Sequence, residues 1–102
     1  MFLLKIQALI NKGKNTEFTQ AVQYIIDSRL TKAGGNNHQI ASDIKDPGLI
    51  YYSEEWEYRE RLQSYLKCEA FKGLIGAMKV LGDIQYATVI SSNRVEDIRN
   101  DL

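Results

Sequence analysis

The chain has 102 residues, of which 44% are apolar and 25% are charged, a length that fits a single domain with one hydrophobic core over residues 1–102. Thirteen Lys and Arg residues balance thirteen Asp and Glu residues, so no basic surplus is available for nucleic acid, and we expect no nucleic-acid partner. One cysteine, Cys68, and one histidine, His38, exclude an internal disulfide and an ordinary Cys/His zinc site, and we expect no metal.

The first half of the chain predicts a strand, a helix and a hairpin. Phe2 to Ile10 alternates in the manner of a strand with one wholly apolar face. Apolar residues at three-and-four spacing then predict a helix from Glu17 to Ala33, which Gly34-Gly35 would end. Two further strands, Asn37 to Ile44 and Leu49 to Trp56, flank the turn sequence Asp46-Pro47-Gly48 and predict a hairpin.

The second half predicts two helices, a strand and a tail. Tyr58 to Lys67 and Glu69 to Leu81 each have one apolar stripe at helical spacing. Gly82-Asp83 breaks the second helix, and Ile84 to Ser92 alternates as a strand. Asn93 and Glu96 have the spacing of a capping box, which predicts a C-terminal tail helix in residues 94–102, from Arg94 to Asn100.

This order of elements predicts an α+β fold of the ferredoxin-like, split β-α-β type, with one antiparallel sheet and the helices on one of its faces. The other sheet face is then bare. Its composition is too apolar and aromatic to remain in water, and a second copy is the natural cover. We therefore expect a homodimer whose sheets face one another and enclose a cavity.

Three segments, in this order and spacing, resemble the antibiotic biosynthesis monooxygenase family: Ser42-Asp43-Ile44-Lys45-Asp46-Pro47, Tyr52-Ser53-Glu54-Glu55-Trp56-Glu57 and Leu66-Lys67-Cys68-Glu69-Ala70-Phe71. The resemblance extends over nearly the whole chain and implies a dimeric α/β barrel. Some members oxidise hydroquinones or polycyclic phenols with dioxygen, using no flavin, haem or metal, which implies that no cofactor is needed here. Many other members have no established reaction.

Two aromatic residues are the first candidates for catalysis. The resemblance implies that Trp56 lines the cavity and contacts the substrate. Tyr52, four residues earlier, lies on the same strand face because side chains alternate with a period of two. Tyr52 departs from the pattern of some polyketide-oxidising members, which have asparagine at this position. The alternative is that both aromatic residues only fill the core.

His38 is the third candidate, as a proton acceptor, because histidine is the side chain best suited to take and give protons near neutral pH. It stands where similar sequences often have cysteine. Alternation places it on one strand face with Ile40, Ser42 and Ile44. The alternative is a histidine beside a polar loop with no catalytic task.

Two other chemistries are rejected. Glu54 and Glu55 are neighbours on a strand and point to opposite faces, so they cannot act jointly, and each is predicted to be solvated or salt-bridged. A neighbouring branch of the family degrades haem with an asparagine, a tryptophan and a haem-ligating histidine. This chain has Ile6, Tyr65 and Ile75 at those positions, without the usual iron ligand.

These observations predict a cofactor-independent monooxygenase that oxidises a quinol or another small aromatic or polyketide-like substrate with dioxygen in a mostly apolar cavity. A non-catalytic protein that binds a small ligand, or a structural dimeric domain, stays open as the alternative. The segment Met1 to Lys5 lacks the basic region of a signal peptide, and no apolar run is long enough to cross a bilayer. We expect a cytoplasmic protein with no membrane association.

Overall fold

The structure, a computed structural model, describes residues 1–23 and 36–102. The helix predicted from Glu17 to Ala33 begins at residue 15 and is described to residue 23; its remainder, with the predicted stop at Gly34-Gly35, lies outside the described residues. The elements follow in the order β1 (Phe2–Ile10), α1 (15–23), β2 (Asn36–Ser42), β3 (Leu49–Trp56), α2 (Arg59–Leu66), α3 (Glu69–Leu81), β4 (Gly82–Ser91), β5 (Arg94–Asp97) and a short 3-10 helix (Arg99–Asp101).

The strands form one antiparallel sheet in the order β2-β3-β1-β4-β5. β1 lies at the centre, with Leu4 opposite Glu54 on β3 and Val89 on β4. Because β1 pairs with two strands that come later in the chain, the two β-α-β units are interleaved, as in ferredoxin-like folds. The predicted α+β fold class is confirmed.

One face of the sheet carries the hydrophobic core. The apolar face of β1 is covered as alternation predicts, and its side chains are at most 3% exposed: Leu4, Ile6, Ala8 and Ile10. The helices supply the opposite wall with Phe18, Val22, Leu62, Tyr65, Phe71, Leu74, Ile75 and Met78. Each large apolar side chain buried in this layer contributes about 1.5–3 kcal/mol to folding, so the sheet and helices are held together mainly here.

The predicted hairpin is confirmed, and its turn chemistry is local. The Asp46 side chain accepts a hydrogen bond from the backbone N–H of Gly48 at 3.1 Å, and the Asp46 carbonyl accepts one from Leu49 at 2.9 Å. The turn also touches β1, because the N–H of Ile10 donates to the Gly48 carbonyl at 2.7 Å. The hairpin is thereby fixed to the central strand.

The boundary between α3 and β4 depends on a close backbone approach. α3 ends at Leu81, as predicted, and β4 begins at the next residue, Gly82. A Cβ atom on Gly82 would lie 2.2 Å from the carbonyl oxygen of Leu9. Only a residue without a side chain fits there, so Gly82 both ends the helix and allows β4 to pair with β1.

The predicted tail helix is wrong. Arg94–Asp97 forms β5, which pairs with β4 through Val95 opposite Ile90 and Glu96 opposite Val89. The N–H of Ile98 continues this pairing by donating to Ala87 at 2.9 Å. A helix this short is marginal on its own, whereas the free edge of β4 offers unpaired backbone groups. β4 and β5 form a hairpin around Ser92-Asn93, with Ser91 opposite Arg94, and this pairing prevails over the capping signal.

The second sheet face is not covered by the core helices and carries both apolar and polar side chains. Its exposed apolar side chains include Leu9, Tyr51 and Val95, at 37%, 38% and 68% exposure, and alternation places Lys5 and Gln7 among them. Tyr52 and Trp56, the predicted cavity residues, lie on the covered face. None of the helices in the described residues has the length and apolar character required to cross a membrane.

Candidate functional site

A buried polar cluster lies between the sheet and α2. β3 presents Tyr52, Glu54 and Trp56 to the covered face because alternate residues of a strand share a face. The Glu54 carboxylate accepts a hydrogen bond from the Tyr52 hydroxyl at 2.6 Å and another from the Trp56 Nε1–H at 2.7 Å. Each carboxylate oxygen therefore has its own donor, which makes burial of a charged group tolerable.

α2 adds a fourth member, Tyr65, whose hydroxyl lies 3.3 Å from that of Tyr52. Since the proton of Tyr52 is used toward Glu54, the bond between the two hydroxyls is donated by Tyr65. The ring of Tyr65 also lies 5.0 Å from that of Trp56 and 5.3 Å from that of Phe71, measured between centroids. The cluster is thus a directed chain of hydrogen bonds enclosed by aromatic rings.

The electrostatics of the cluster follow from its burial. Burial raises the pKa of Glu54 from 4.5 to about 6, although the hydrogen bonds from Tyr52 and Trp56 act to lower it. Burial, followed by the nearby charge of Glu54, raises the pKa of both Tyr52 and Tyr65 above the ordinary value of a phenol. Both tyrosines are therefore neutral hydrogen-bonding groups at neutral pH, and the carboxyl group is the member that titrates first.

The prediction that Glu54 is solvated or salt-bridged is wrong, because its side chain has 0% exposure and both its partners are neutral. The prediction that Glu54 and Glu55 point to opposite faces is confirmed, with Glu55 half-buried on the other side. The sequence contains a signal for the burial of Glu54, because Glu54 stands between Tyr52 and Trp56 at a spacing of two residues from each. Any strand face that buries the aromatic pair must bury the carboxylate as well.

A groove of about 460 Å³ opens beside this cluster, between α1, β2 and β3. It combines apolar core residues with polar groups, and is lined by Phe18, Thr19, Val22, Gln23, His38, Ile40, Ala41, Ser42 and Ile50. Ile40 is directly opposite Tyr52 in the sheet, and Ile50 precedes Tyr52 by two residues on the same face. The inner end of the groove is therefore next to Tyr52.

The three predicted site residues separate into two places. Tyr52 and Trp56 are brought together through Glu54, and their side chains are 1% and 0% exposed, so they lie behind the groove and do not line it. His38 lies on the groove itself, with Ile40 and Ser42. Its predicted alternation with these two residues is confirmed, whereas Ile44 lies beyond the end of β2 and is 98% exposed.

The described residues place no three His, Cys, Asp or Glu side chains where they could together hold a metal ion. Cys68 precedes α3 at the N-cap position, where its side chain makes no capping hydrogen bond. The residues of the groove and the cluster offer hydrogen bonds, proton exchange and apolar contact.

Comparison with known proteins identifies the fold. The chain is similar to the solved structure of an antibiotic biosynthesis monooxygenase, with a TM-score of 0.74 and 21% identity over 88% of this chain and 94% of that one. Two solved structures given the same name provisionally are also similar. The one from Deinococcus radiodurans has a TM-score of 0.78 and 17% identity over 92% of this chain and 94% of that one. The one from Nitrosomonas europaea has a TM-score of 0.77 and 11% identity over 92% of this chain and 100% of that one. No family model matches the chain, and no curated protein matches it.

These structures cover about nine tenths of the chain, and the protein has the antibiotic biosynthesis monooxygenase fold. The resemblance noted in the sequence is confirmed at the level of the fold. Likeness at this level of identity concerns architecture, and one fold supports many reactions, so activity must be argued from the site.

Proposed function

We propose that the protein is a cofactor-independent monooxygenase that oxidises a quinol or another small aromatic substrate with dioxygen. An ionised quinol gives one electron to dioxygen, and the resulting radical pair combines into a carbon–oxygen bond. Loss of water from the peroxide then leaves a hydroxylated quinone. One oxygen atom enters the product and the other leaves as water, and the substrate supplies all four electrons.

The groove is the proposed substrate site. Its volume, about 460 Å³, falls within the range of small-molecule pockets, roughly 300–1,000 Å³. Phe18, Val22 and Ile50 provide apolar contact for an aromatic ring. Contact with these residues keeps water away from the reacting carbon, as oxygen chemistry on a radical pair requires.

His38 is proposed as the base that accepts the phenolic proton. It is the one histidine of the chain, it is exposed, and it lines the groove, so a ring bound with its hydroxyl group toward His38 would meet a base. A positioned general base contributes about 10²–10⁴-fold to a rate. Ionisation of the substrate is the step that makes electron transfer to dioxygen favourable.

Tyr52 and Trp56 have a supporting role in this proposal. They hold the buried Glu54 by two hydrogen bonds and form a rigid wall behind Ile40 and Ile50. The single observation that supports the function best is this juxtaposition: an apolar groove with the chain's histidine on its surface and a fully paired polar cluster at its inner end.

The test is oxygen uptake with a panel of hydroquinones and naphthols in buffer treated to remove metals, with ¹⁸O₂ to follow the label into product and water. We expect His38→Gln to lower kcat about 10²-fold while ligand binding persists. Gln39→Ala is the matched control, since Gln39 is the next residue along and faces the other side of the sheet. Equal activity in His38→Gln and the unmodified protein would remove His38 from the mechanism.

A second function, the binding of a small apolar ligand without turnover, is favoured by one observation. Tyr52 and Trp56 have almost no exposed surface, and among the described residues that line the groove His38 is the one acid–base side chain a ligand would meet. Binding of the same phenols without oxygen uptake would support this function. Neither binding nor uptake would reject both.

The proposal includes a homodimer formed through the open sheet face and a cytoplasmic location. The apolar residues on that face, Leu9, Tyr51 and Val95, would be removed from water by a second copy. Because the groove lies on the helix side of the sheet, such a dimer would leave both grooves accessible.

A further inference from the structure

β2 presents two polar side chains to the groove, with an apolar side chain between them. The pairing of β2 with β3 is regular from position 39 to position 42, so alternation gives His38, Ile40 and Ser42 one common face. All three line the groove, and Ile40, the middle one, is 39% exposed. Among the residues that the structure describes, none forms a hydrogen bond with the side chain of His38 or of Ser42. Both polar groups are therefore available to a ligand.

The distance between the two polar groups follows from strand geometry. A strand rises about 3.3 Å per residue, so positions 38 and 42 are about 13 Å apart along β2. Side chains on one face of a strand stand roughly perpendicular to the sheet, so their polar ends keep about this separation. A hydrogen bond at each end takes up about 3 Å of it. A rigid ligand that reaches both groups therefore carries two oxygen atoms about 7–10 Å apart.

The groove surface between the two polar groups is apolar. Ile40 lies midway between them on β2, and Ile50 is directly opposite Ser42 on β3. Phe18 and Val22 on α1 supply further apolar surface to the same groove. An aromatic ring system that lies along β2 would cover the exposed part of Ile40 and remove it from water. The lining therefore favours a flat apolar molecule that has a polar atom at each end.

We propose that Ser42 is a specificity-determining residue of the groove: it hydrogen-bonds the second oxygen of a two-ring aromatic diol whose first hydroxyl group lies at His38. This inference deepens the proposed function, on which it rests for the reaction but not for the binding. In a single-ring hydroquinone the two oxygen atoms are too close together to reach both residues. In naphthalene-2,6-diol they stand on opposite rings, and their separation fits the span between His38 and Ser42.

The inference is tested by ligand binding in the absence of oxygen. Naphthalene-2,6-diol and 2-naphthol differ only in the second hydroxyl group. Each is titrated into the protein under argon, and binding is followed by calorimetry and by the ring proton NMR signals of the single histidine. Both ligands should shift the histidine signals of the unmodified protein, and the diol should bind more tightly than 2-naphthol because it makes one more hydrogen bond.

Substitutions assign the second hydrogen bond to a residue. Ser42→Ala should weaken binding of the diol about 3- to 10-fold, the contribution of one neutral hydrogen bond, and leave the affinity for 2-naphthol unchanged. Ser42→Thr, which retains a hydroxyl group, should keep the tighter binding of the diol. Ser53→Ala is the matched control, because Ser53 is opposite Gln39 on the other face of the sheet. In Thr19→Val, which removes the other hydroxyl group of the groove, the diol should still bind more tightly than 2-naphthol.

The outcomes separate this inference from the proposed function. If neither ligand binds, if Ser42→Ala weakens both ligands equally or neither of them, or if Thr19→Val is the variant that weakens the diol, the inference is wrong. If binding of the diol depends on Ser42 but neither ligand consumes oxygen in air, the inference stands and the proposed oxygenase fails. If the diol consumes oxygen and Ser42→Ala leaves its KM unchanged, the oxygenase stands and Ser42 has no role in specificity.

Discussion

Replacing Glu54 by glutamine should change the pH dependence of stability while preserving the packing of the buried cluster. The two side chains have nearly the same shape. In the variant, the amide oxygen can accept from Trp56, and the amide nitrogen can donate to the Tyr52 hydroxyl. Tyr52 would then donate to Tyr65, so the chain of hydrogen bonds reverses but every member keeps a partner.

The magnitude follows from the raised pKa of Glu54, which is about 6 in the folded protein against an ordinary 4.5. Between these values the folded protein binds more protons at this carboxyl than the unfolded chain does. The free energy of unfolding therefore falls as the pH rises through this window. The stabilisation is fully present below pH 4.5 and is lost above about pH 6, a change of about 2 kcal/mol, since a tenfold difference in proton affinity is worth about 1.4 kcal/mol.

Glutamine is neutral at every pH and lacks this loss. We therefore compare the free energies of unfolding in urea at about pH 4 and about pH 7. From the lower to the higher pH, the free energy of unfolding of Glu54→Gln should rise by about 2 kcal/mol relative to that of the unmodified protein. Glu57→Gln is the control, because it removes an exposed carboxyl next to the end of β3. Its free energy of unfolding relative to the unmodified protein should change by less than about 0.5 kcal/mol between the two pH values. If Glu54→Gln and the unmodified protein differ by the same free energy of unfolding at both pH values, Glu54 is not a buried carboxyl with a raised pKa.

Three further substitutions test the fold and the assembly. Gly82→Ala should lower the free energy of unfolding by about 3 kcal/mol or prevent folding, because its Cβ would lie 2.2 Å from a β1 carbonyl oxygen. Ile98→Ala should lower the free energy of unfolding by about 2–5 kcal/mol, since Ile98 is 6% exposed and connects the tail to the core. Urea unfolding measures the effect of Gly82→Ala and of Ile98→Ala. Tyr51→Lys places a charge on the open sheet face and should dissociate the proposed dimer in sedimentation equilibrium.

Each of these has a matched control. Gly76→Ala on α3 meets no atom within 4 Å and should stabilise the helix by about 0.5–1 kcal/mol. Val80→Ala, at a position 79% exposed, should not lower stability measurably. Tyr58→Lys changes a tyrosine that is 55% exposed but lies outside the sheet, and it should leave the sedimentation behaviour unchanged. Dissociation by both lysine variants would remove the sheet face as the specific interface.

Local patterns in the sequence determined most of the elements. The spacing of Phe71, Leu74, Ile75 and Met78 placed α3 at its observed bounds, and Asp46-Pro47-Gly48 placed the hairpin. The alternation of Tyr52 and Trp56 put both on one face. These predictions hold because helix spacing, strand alternation and turn chemistry each depend on residues a few positions apart.

The tertiary structure decided two features of the candidate site. Glu54 is buried because the face it shares with two aromatic residues is the one that the helices cover. His38 lies on a groove because α1 packs beside the covered face of β2 and β3. In each case the deciding contact joins segments far apart in the chain, and strand alternation says which residues share a face but not which partner that face will meet.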